Sequence, residues 1–291
     1  MKPAPFKYFS PETLDEALAL KSEYGDDGKV LAGGQSLIPA MNFRLAQPSV
    51  LIDLNRIAAL QGVVKKNGSI HIKAMTRQSA VEKDNLVKKH NPLLFETMPH
   101  IAHPQIRNRG TIGGSLAHAD PASELPVIAF ATEARFRAQS EKNDRWLNST
   151  EFFQGMFYVG LQDDEILTEI EFPNIKSGRG WSFLEIARRK GDYAMAGLAA
   201  TIDLDEAGQI NSAQLIYLNV GEGPVIAKDA AIDLQGKLPN SESFSEAAKI
   251  ASVKEIQPFG NVHASPEYQR HLSNVLTQRA LEIAATRAKA V

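Results

Sequence analysis

Two diglycine turns constrain the fold of this chain more than any other feature of its sequence. Gly33-Gly34 follows a short apolar segment, Lys29–Ala32, which is predicted to be a strand, and Gly113-Gly114 lies among hydroxyl residues further along. Glycine has no Cβ, so two in succession let a ligand come close to the backbone. The chain is therefore predicted to present peptide N–H groups to a ligand at two places.

The first turn is predicted to lead into a helix, Leu37–Leu45. Peptide N–H groups at the start of a helix suit a phosphate group, and Ser36 would add a hydroxyl donor. An ordinary strand-to-helix turn explains the same residues, and the segment is not the G-x-G-x-x-G pattern of dinucleotide-binding domains. Taken alone, the first turn leaves both interpretations open.

The second turn has a similar composition. Thr111 precedes its glycines and Ser115 follows them, while Arg107 and Arg109 lie just upstream and predict a local positive field. Two such turns, brought together, would hold one diphosphate from both sides. The pair is more specific for anion binding than either turn alone, because a single Gly-rich loop is weak evidence.

The elements around the first turn predict a small α/β unit. Ser10 followed by Pro11 predicts the start of a helix that ends near Gly25. Asn67-Gly68 predicts the turn of a β-hairpin. The other elements predicted in this half are strands at Lys7–Phe9 and Val50–Leu54, the hairpin Gly62–Ala74 and several short helices from Arg77 to His100.

The middle of the chain is less regular. Ile101–Pro126 is rich in Gly, Asn, Asp and His, and it is predicted to be a long functional loop with a short helix after it. Pro173–Arg179 is polar and predicts a domain boundary. The remaining predicted elements are strands at Phe136–Ala138 and Ile166–Phe172, the hairpin Ala194–Asp205 with Ile210–Val220, and helices at Glu242–Ala251 and Pro266–Arg287.

Composition excludes several kinds of site. The chain has no cysteine, so it cannot hold an iron–sulfur cluster, a thiolate zinc site or a cysteine nucleophile. A formal net charge of -2 gives no reason to expect nucleic acid as a partner. His100, His103 and His118 lie near Asp120, but their spacing is irregular, and no metal site is predicted. Without a signal peptide or a long apolar run, a cytoplasmic protein is expected.

Four segments together resemble a known family. They are Leu31–Leu37, Ile106–Ser115, Asp120–Pro126 and Arg188–Ala194, in that order along the chain. They resemble the FAD-binding medium subunits of the xanthine dehydrogenase and carbon monoxide dehydrogenase family of molybdenum hydroxylases. The resemblance covers essentially the whole chain, and the local sequence of these segments is most similar to that of bacterial N-heteroaromatic hydroxylases.

The resemblance implies an α+β protein. A two-lobed PCMH-type FAD-binding domain would comprise lobe 1, residues 1–57, and lobe 2, residues 58–176. A C-terminal α/β domain of the CO dehydrogenase flavoprotein type would follow at residues 177–291. Some relatives carry an inserted iron–sulfur domain in this subunit, which a chain without cysteine cannot have.

The resemblance also implies a set of FAD-binding residues. Glu124 would bind the sugar or ribityl hydroxyls, Tyr193 would lie beside the isoalloxazine ring, and Leu167 and Lys190 would line the adenine and flavin edges. The diphosphate and ribityl contacts would be Ala32, Gly33, Gly34, Gln35, Ser36, Thr111, Ile112, Gly113, Gly114 and Ser115. No catalytic residue is expected, because the redox chemistry belongs to the flavin.

The implied complex contains three kinds of chain. A large subunit would carry a molybdenum-pterin cofactor and hydroxylate a small substrate with oxygen from water. A small subunit would carry two [2Fe–2S] clusters, and the whole would form a dimer of heterotrimers. Electrons would leave this FAD for an external acceptor. Two alternatives stay open: a self-sufficient flavoenzyme with its own substrate site, and a non-catalytic nucleotide-binding or assembly protein.

Overall fold

The computed structural model describes residues 1–289, and its N-terminal part is a small parallel sheet. The strands β1 (Lys7–Phe9), β2 (Gly28–Leu31) and β3 (Val50–Asp53) pair in the order β1-β3-β2. Helices α1 (Leu14–Tyr24) and α2 (Leu37–Asn42) connect them. Ala17, Leu18 and Ile52 pack together in the core of this unit. The parallel order brings the carboxyl ends of β2 and β3 side by side.

The predicted start of the first helix was wrong by three residues. Thr13, and not Ser10, caps α1: its hydroxyl accepts from the Glu16 N–H, and the Glu16 carboxylate accepts from the Thr13 N–H. This reciprocal capping box satisfies two N–H groups at once, and Ser10 cannot form one because the residue three positions after it is Thr13 rather than Glu or Gln.

The second part is built on a five-stranded antiparallel sheet of order β4-β5-β10-β6-β7. Its inner face, with Ile70, Phe136 and Ile170, packs against a layer of short helices. The strands are β4 (Val63–Lys66), β5 (Ser69–Lys73), β6 (Arg135–Gln139), β7 (Asp144–Asn148) and β10 (Ile166–Pro173), with a small separate pair, β8 (Phe153–Gly155) and β9 (Tyr158–Val159). The helices are α3 (Gln78–Val81), α4 (Asn85–His90), α5 (Pro92–Thr97), α6 (Pro104–Arg107), α7 (Ile112–His118), α8 (Glu124–Ala131) and α9 (Ser149–Phe152).

The segment Ile101–Pro126 is more ordered than the predicted long loop. It contains α6 and α7, and α8 begins inside it. Two adjacent glycines are poor helix formers, so the helix signal of α7 in the sequence is weak. It forms because Thr111 caps it and because it packs against the end of β5.

The C-terminal part is an antiparallel sheet covered on one face by helices. Strands β11 (Gly180–Ala187), β12 (Ala194–Leu204), β13 (Ile210–Leu218) and β14 (Val225–Ile226) pair in chain order. Helices α10 (Lys228–Leu234), α11 (Ser241–Ile250) and α12 (Pro266–Arg287) follow, and α12 packs on β11 and β12. Strand β11 was not predicted, and neither was β7, whose sequence is largely polar.

The two faces of this C-terminal sheet pack into different hydrophobic cores. Leu198 and Tyr217 pack toward the C-terminal helices. Phe183, Ala194 and Leu218 instead join the core of the five-stranded part. Within residues 1–289, no helix has the length and apolar character that crossing a bilayer requires.

Candidate functional site

The two diglycine turns are in direct contact. A Cβ on Gly33 would lie 2.7 Å from the Gly110 Cα and closer still to the Arg109 carbonyl oxygen. A Cβ on Gly114 would lie 3.0 Å from the Ala32 Cβ. Only glycine fits at Gly33, because backbone atoms fill the space a side chain would need. The structure therefore joins the turns predicted to share one ligand.

The first turn supplies unpaired peptide donors. Residues 33–36 are neither helix nor strand, and in the part of the chain that the structure describes their N–H groups donate to no protein acceptor. The turn is held from outside: the Asn55 amide donates to the Ala32 carbonyl over 2.9 Å, and the Gln35 amide donates to the Gly33 carbonyl over 3.1 Å. Ser36 is exposed beside it. This turn has the donors that an anion requires.

In the second turn, the N–H groups of residues 112–115 are not free for a ligand, contrary to the prediction. Its N–H groups already donate within the protein: Gly113 to the Ala74 carbonyl over 2.8 Å, and Gly114 to the Thr111 hydroxyl over 3.0 Å. Ile112 donates to the Thr76 carbonyl and Ser115 to the Thr111 carbonyl. Its glycines serve close packing, since a Cβ on Gly113 would lie 2.7 Å from the Ala74 oxygen. What the turn presents is a surface without side chains, together with hydroxyl groups.

A cavity of about 300 Å³ lies beside the first turn. It combines apolar walls with the unpaired N–H groups of the turn, one carboxylate and one guanidinium. Its lining residues are Leu31, Ala32, Gly33, Gly34, Gln35, Ile38, Pro39, Asp53, Asn55 and Arg109. A mixture of apolar walls and a few polar groups is typical of a small-molecule site.

Three polar residues of this site were not predicted from the sequence: Asp53, Asn55 and Arg77. The Arg77 guanidinium donates to the Asn55 side-chain oxygen over 2.6 Å and also to the Arg109 carbonyl. Asp53 accepts from the Tyr8 hydroxyl over 2.6 Å and from the Asn55 N–H over 2.8 Å. One signal was available, because ligands of α/β sheets bind beyond the carboxyl ends of the strands, where Asp53 and Asn55 lie.

The predicted positive field comes from only one of the two arginines. Arg107 is buried, and its guanidinium binds both oxygens of Glu82 and the Ile101 carbonyl. Its charge is neutralised there, away from the cavity. Arg109 is exposed and lines the cavity.

A second group of predicted residues meets around Asp120. Glu124 begins α8 and is only 7 % exposed, and burial raises the pKa of its carboxyl to about 8, with Glu185 and Asp120 adding to the rise. The Tyr193 side chain is largely exposed, and partial burial of its hydroxyl, followed by the charges of Asp120 and Glu124, raises the pKa of that hydroxyl. The structure therefore brings Glu124 and Tyr193 together, although they lie on different parts of the chain.

The turn that carries Tyr193 packs on the loop before α6. Gly191 has φ +91, and a Cβ there would collide with the His103 ring and lie 3.0 Å from the Ala102 oxygen. Lys190 is exposed in the same turn. Leu167 is different: it is 5 % exposed, lies on β10 and packs in the core. Only a small part of its surface is available to a ligand.

The histidines near this region have other contacts. His100 lies 3.2 Å from the Glu185 carboxylate, and His118 lies 5.0 Å from the Phe157 ring, measured between ring centroids. Over residues 1–289, no group of three or more His, Cys, Asp or Glu side chains is placed to hold a metal ion.

Two known families match consecutive parts of the chain. The FAD binding domain in molybdopterin dehydrogenase matches residues 4–175, and the CO dehydrogenase flavoprotein C-terminal domain matches residues 181–284. Together they account for nearly all of the sequence.

Full-length relatives and solved structures agree with these matches. The chain is 38 % identical to the 6-hydroxypseudooxynicotine dehydrogenase complex subunit alpha of Paenarthrobacter nicotinovorans, over 99 % of this chain and 97 % of that protein. It is 37 % identical to the caffeine dehydrogenase subunit beta of Pseudomonas sp. (strain CBB1), over the same shares. A chain of carbon monoxide dehydrogenase from Hydrogenophaga pseudoflava superposes with a TM-score of 0.95 at 35 % identity, covering 99 % of this chain and 100 % of that chain. A chain of quinoline 2-oxidoreductase from Pseudomonas putida 86 gives 0.93 at 33 % identity, with 98 % and 99 % covered.

Proposed function

Because this chain belongs to the FAD-binding medium subunits of the carbon monoxide dehydrogenase and xanthine dehydrogenase family of molybdenum hydroxylases, we propose that its FAD passes electrons from an iron–sulfur partner to an external acceptor. The chain is an oxidoreductase subunit. When bound, FAD supplies the ability to take up and release electrons. The protein's own part is to bind the flavin, orient it and control access to it.

The residues present fit an FAD diphosphate. Among residues 1–289, the N–H groups of residues 33–36 have no protein acceptor, and the cavity beside them has apolar walls. The glycines of both turns leave room for a ligand at the place where the turns meet. We assign Ala32–Ser36 and Thr111–Ser115 to the diphosphate and ribityl chain.

The group around Asp120 fits the flavin end of the cofactor. Glu124 is placed to bind sugar or ribityl hydroxyls, and the exposed Tyr193 ring is free to cover a face of the isoalloxazine. We assign Lys190 and Leu167 to the flavin and adenine edges, with Leu167 contributing the small part of its surface that is exposed. No side chain acts as a nucleophile in this proposal.

The proposed domain division is lobe 1 at residues 1–57, lobe 2 at residues 58–176 and the C-terminal domain at residues 177–291. The three main sheets support this division, since each lies within one of these ranges. Both turns contribute to the site, so FAD would lie between lobes 1 and 2.

The proposed partners are a large molybdenum-cofactor subunit and a small subunit with [2Fe–2S] clusters, assembled as a dimer of heterotrimers. The complex would hydroxylate a small substrate with oxygen from water. Relatives named for quinoline, caffeine and 6-hydroxypseudooxynicotine support an N-heteroaromatic or related substrate. The external acceptor would meet this chain, because the flavin is its redox group.

The observation that carries the proposal is the contact between the two diglycine turns. Ser36→Asp would place a negative charge beside the diphosphate, and Gly114→Val would fill the space next to Ala32. Both variants should lose their flavin, measured by absorption spectrum and flavin content of the purified complex. Ser245→Asp, an exposed serine of α11, is the matched control and should stay yellow.

Two results would contradict the proposal. Normal flavin content in Ser36→Asp and Gly114→Val would remove the site assignment. Substrate oxidation by the purified chain alone would instead favour a self-sufficient flavoenzyme.

A further inference from the structure

Arg109 has a fixed backbone and a free side chain. Its carbonyl accepts from the Arg77 guanidinium and lies against Gly33, so its main chain is anchored between the two turns. Its side chain is exposed, and Arg109 is one of the residues that line the cavity together with Gly33 and Gly34. The fixed backbone therefore keeps the Arg109 side chain next to the proposed cofactor site.

No residue in the described part of the chain neutralises the charge of Arg109. Across residues 1–289 its guanidinium forms no ion pair and donates no hydrogen bond, whereas Arg107 two residues earlier is paired with Glu82. Arg109 is the one cation among the cavity-lining residues, and Asp53 is the one carboxylate. The Asp53 oxygens already accept from the Tyr8 hydroxyl and the Asn55 N–H.

Arg77 cannot take the same part, although it lies nearby. Its guanidinium is occupied by the Asn55 oxygen and the Arg109 carbonyl. Burial lowers the pKa of Arg77, and the adjacent Arg109 charge lowers it further, so two guanidinium groups repel each other here. An anion next to Arg109 would relieve that repulsion. Arg77 is a positioning residue that holds the backbone of Arg109.

We propose that the Arg109 guanidinium binds a phosphate of the FAD diphosphate, an inference that rests on the proposed FAD site. The N–H groups of the first turn supply dipoles without a full charge, and the N–H groups of residues 112–115 in the second turn already donate within the protein. A diphosphate carries negative charge that one arginine fork is well suited to bind. Arg109 thus supplies the positive charge for the diphosphate that the two glycine turns lack.

The test is a titration of the full flavin-free chain with FAD, ADP and riboflavin at several salt concentrations. Arg109→Gln should weaken FAD and ADP binding by roughly 10- to 100-fold, the effect of losing one charge-assisted hydrogen bond. Riboflavin has no phosphate, so its binding should be unchanged. The salt dependence of FAD binding should become weaker, because one fewer charge contacts the ligand.

Two further variants complete the comparison. Arg109→Lys keeps the charge and should bind FAD more tightly than Arg109→Gln. Arg279→Gln removes an exposed arginine of α12 and should match the wild type in every titration.

Several outcomes would overturn the inference. Wild-type affinity and salt dependence in Arg109→Gln would exclude a phosphate contact. Equal losses for FAD, ADP and riboflavin would indicate a general loosening of the site. Failure of the folded wild-type chain to bind FAD at all would refute the proposed function itself, and this inference with it.

Discussion

Replacing Glu124 with glutamine should change how the stability of the flavin-free chain depends on pH. The Glu124 carboxyl is 7 % exposed, and burial, together with Glu185 and Asp120 nearby, raises its pKa from 4.5 to about 8. In the unfolded chain the same carboxyl is in water and titrates near 4.5. Between these two values the folded chain keeps a proton that the unfolded chain has lost.

The sign follows from this difference. The free energy of unfolding falls as pH rises wherever the folded state binds more protons than the unfolded state. Glu124 therefore lowers the free energy of unfolding progressively from pH 4.5 up to about 8, and its contribution is constant outside that window. One pH unit corresponds to about 1.4 kcal/mol, so the free energy of unfolding should fall by on the order of 5 kcal/mol across the full window. Glutamine does not titrate, and Glu124→Gln should be free of this loss.

The measurement is urea unfolding of both proteins at about pH 5 and about pH 8. The free energy of unfolding of the wild type should fall relative to that of Glu124→Gln by a few kcal/mol between these values. Other titrating groups are common to both proteins and cancel in the difference. Glu242→Gln, an exposed position in α11, is the control and should follow the wild type. Parallel pH profiles for wild type and Glu124→Gln would refute the reasoning.

Two further predictions concern the turns and the flavin face. Gly33→Ala should lose flavin and destabilise the chain by about 1–3 kcal/mol, because the new methyl group meets the backbone of Arg109 and Gly110. Flavin content and urea unfolding measure these two effects. A variant that keeps both its stability and its flavin would contradict the close contact. Tyr193→Ala should raise the rate at which oxygen reoxidises the reduced flavin, whereas Tyr193→Phe keeps the ring and should react at the wild-type rate. Stopped-flow absorption measures the reoxidation rate of each protein. Equal rates in the wild type and both variants would show that Tyr193 does not cover the flavin face.

Much of the fold could be predicted because local residues determine it. Asn67-Gly68 specifies a hairpin turn, and the predicted bounds of the last helix, Pro266–Arg287, agree with α12. Strand β7 was missed because its sequence, DRWLN, is mostly polar and half-exposed. Helix α7 was missed because its stability comes from a cap and from packing against Ala74, which only the folded chain provides.

The site was predictable in outline and not in its details. Glycine pairs mark the two turns, but which N–H groups stay free depends on partners such as the Ala74 carbonyl, far away in sequence. Arg107 and Arg109 look equivalent in the sequence, and Glu82 distinguishes them only in the structure. Asn55 is a single polar residue after a strand, and its role arises because β2 and β3 end side by side.

The most direct test of the account is a crystal structure of the complex saturated with FAD. The predicted result places phosphate oxygens about 3 Å from the amide nitrogens of residues 33–36, with the Thr111–Ser115 turn on the other side. Diphosphate bound elsewhere, or bound to one turn with the other turn distant from the cofactor, would contradict it.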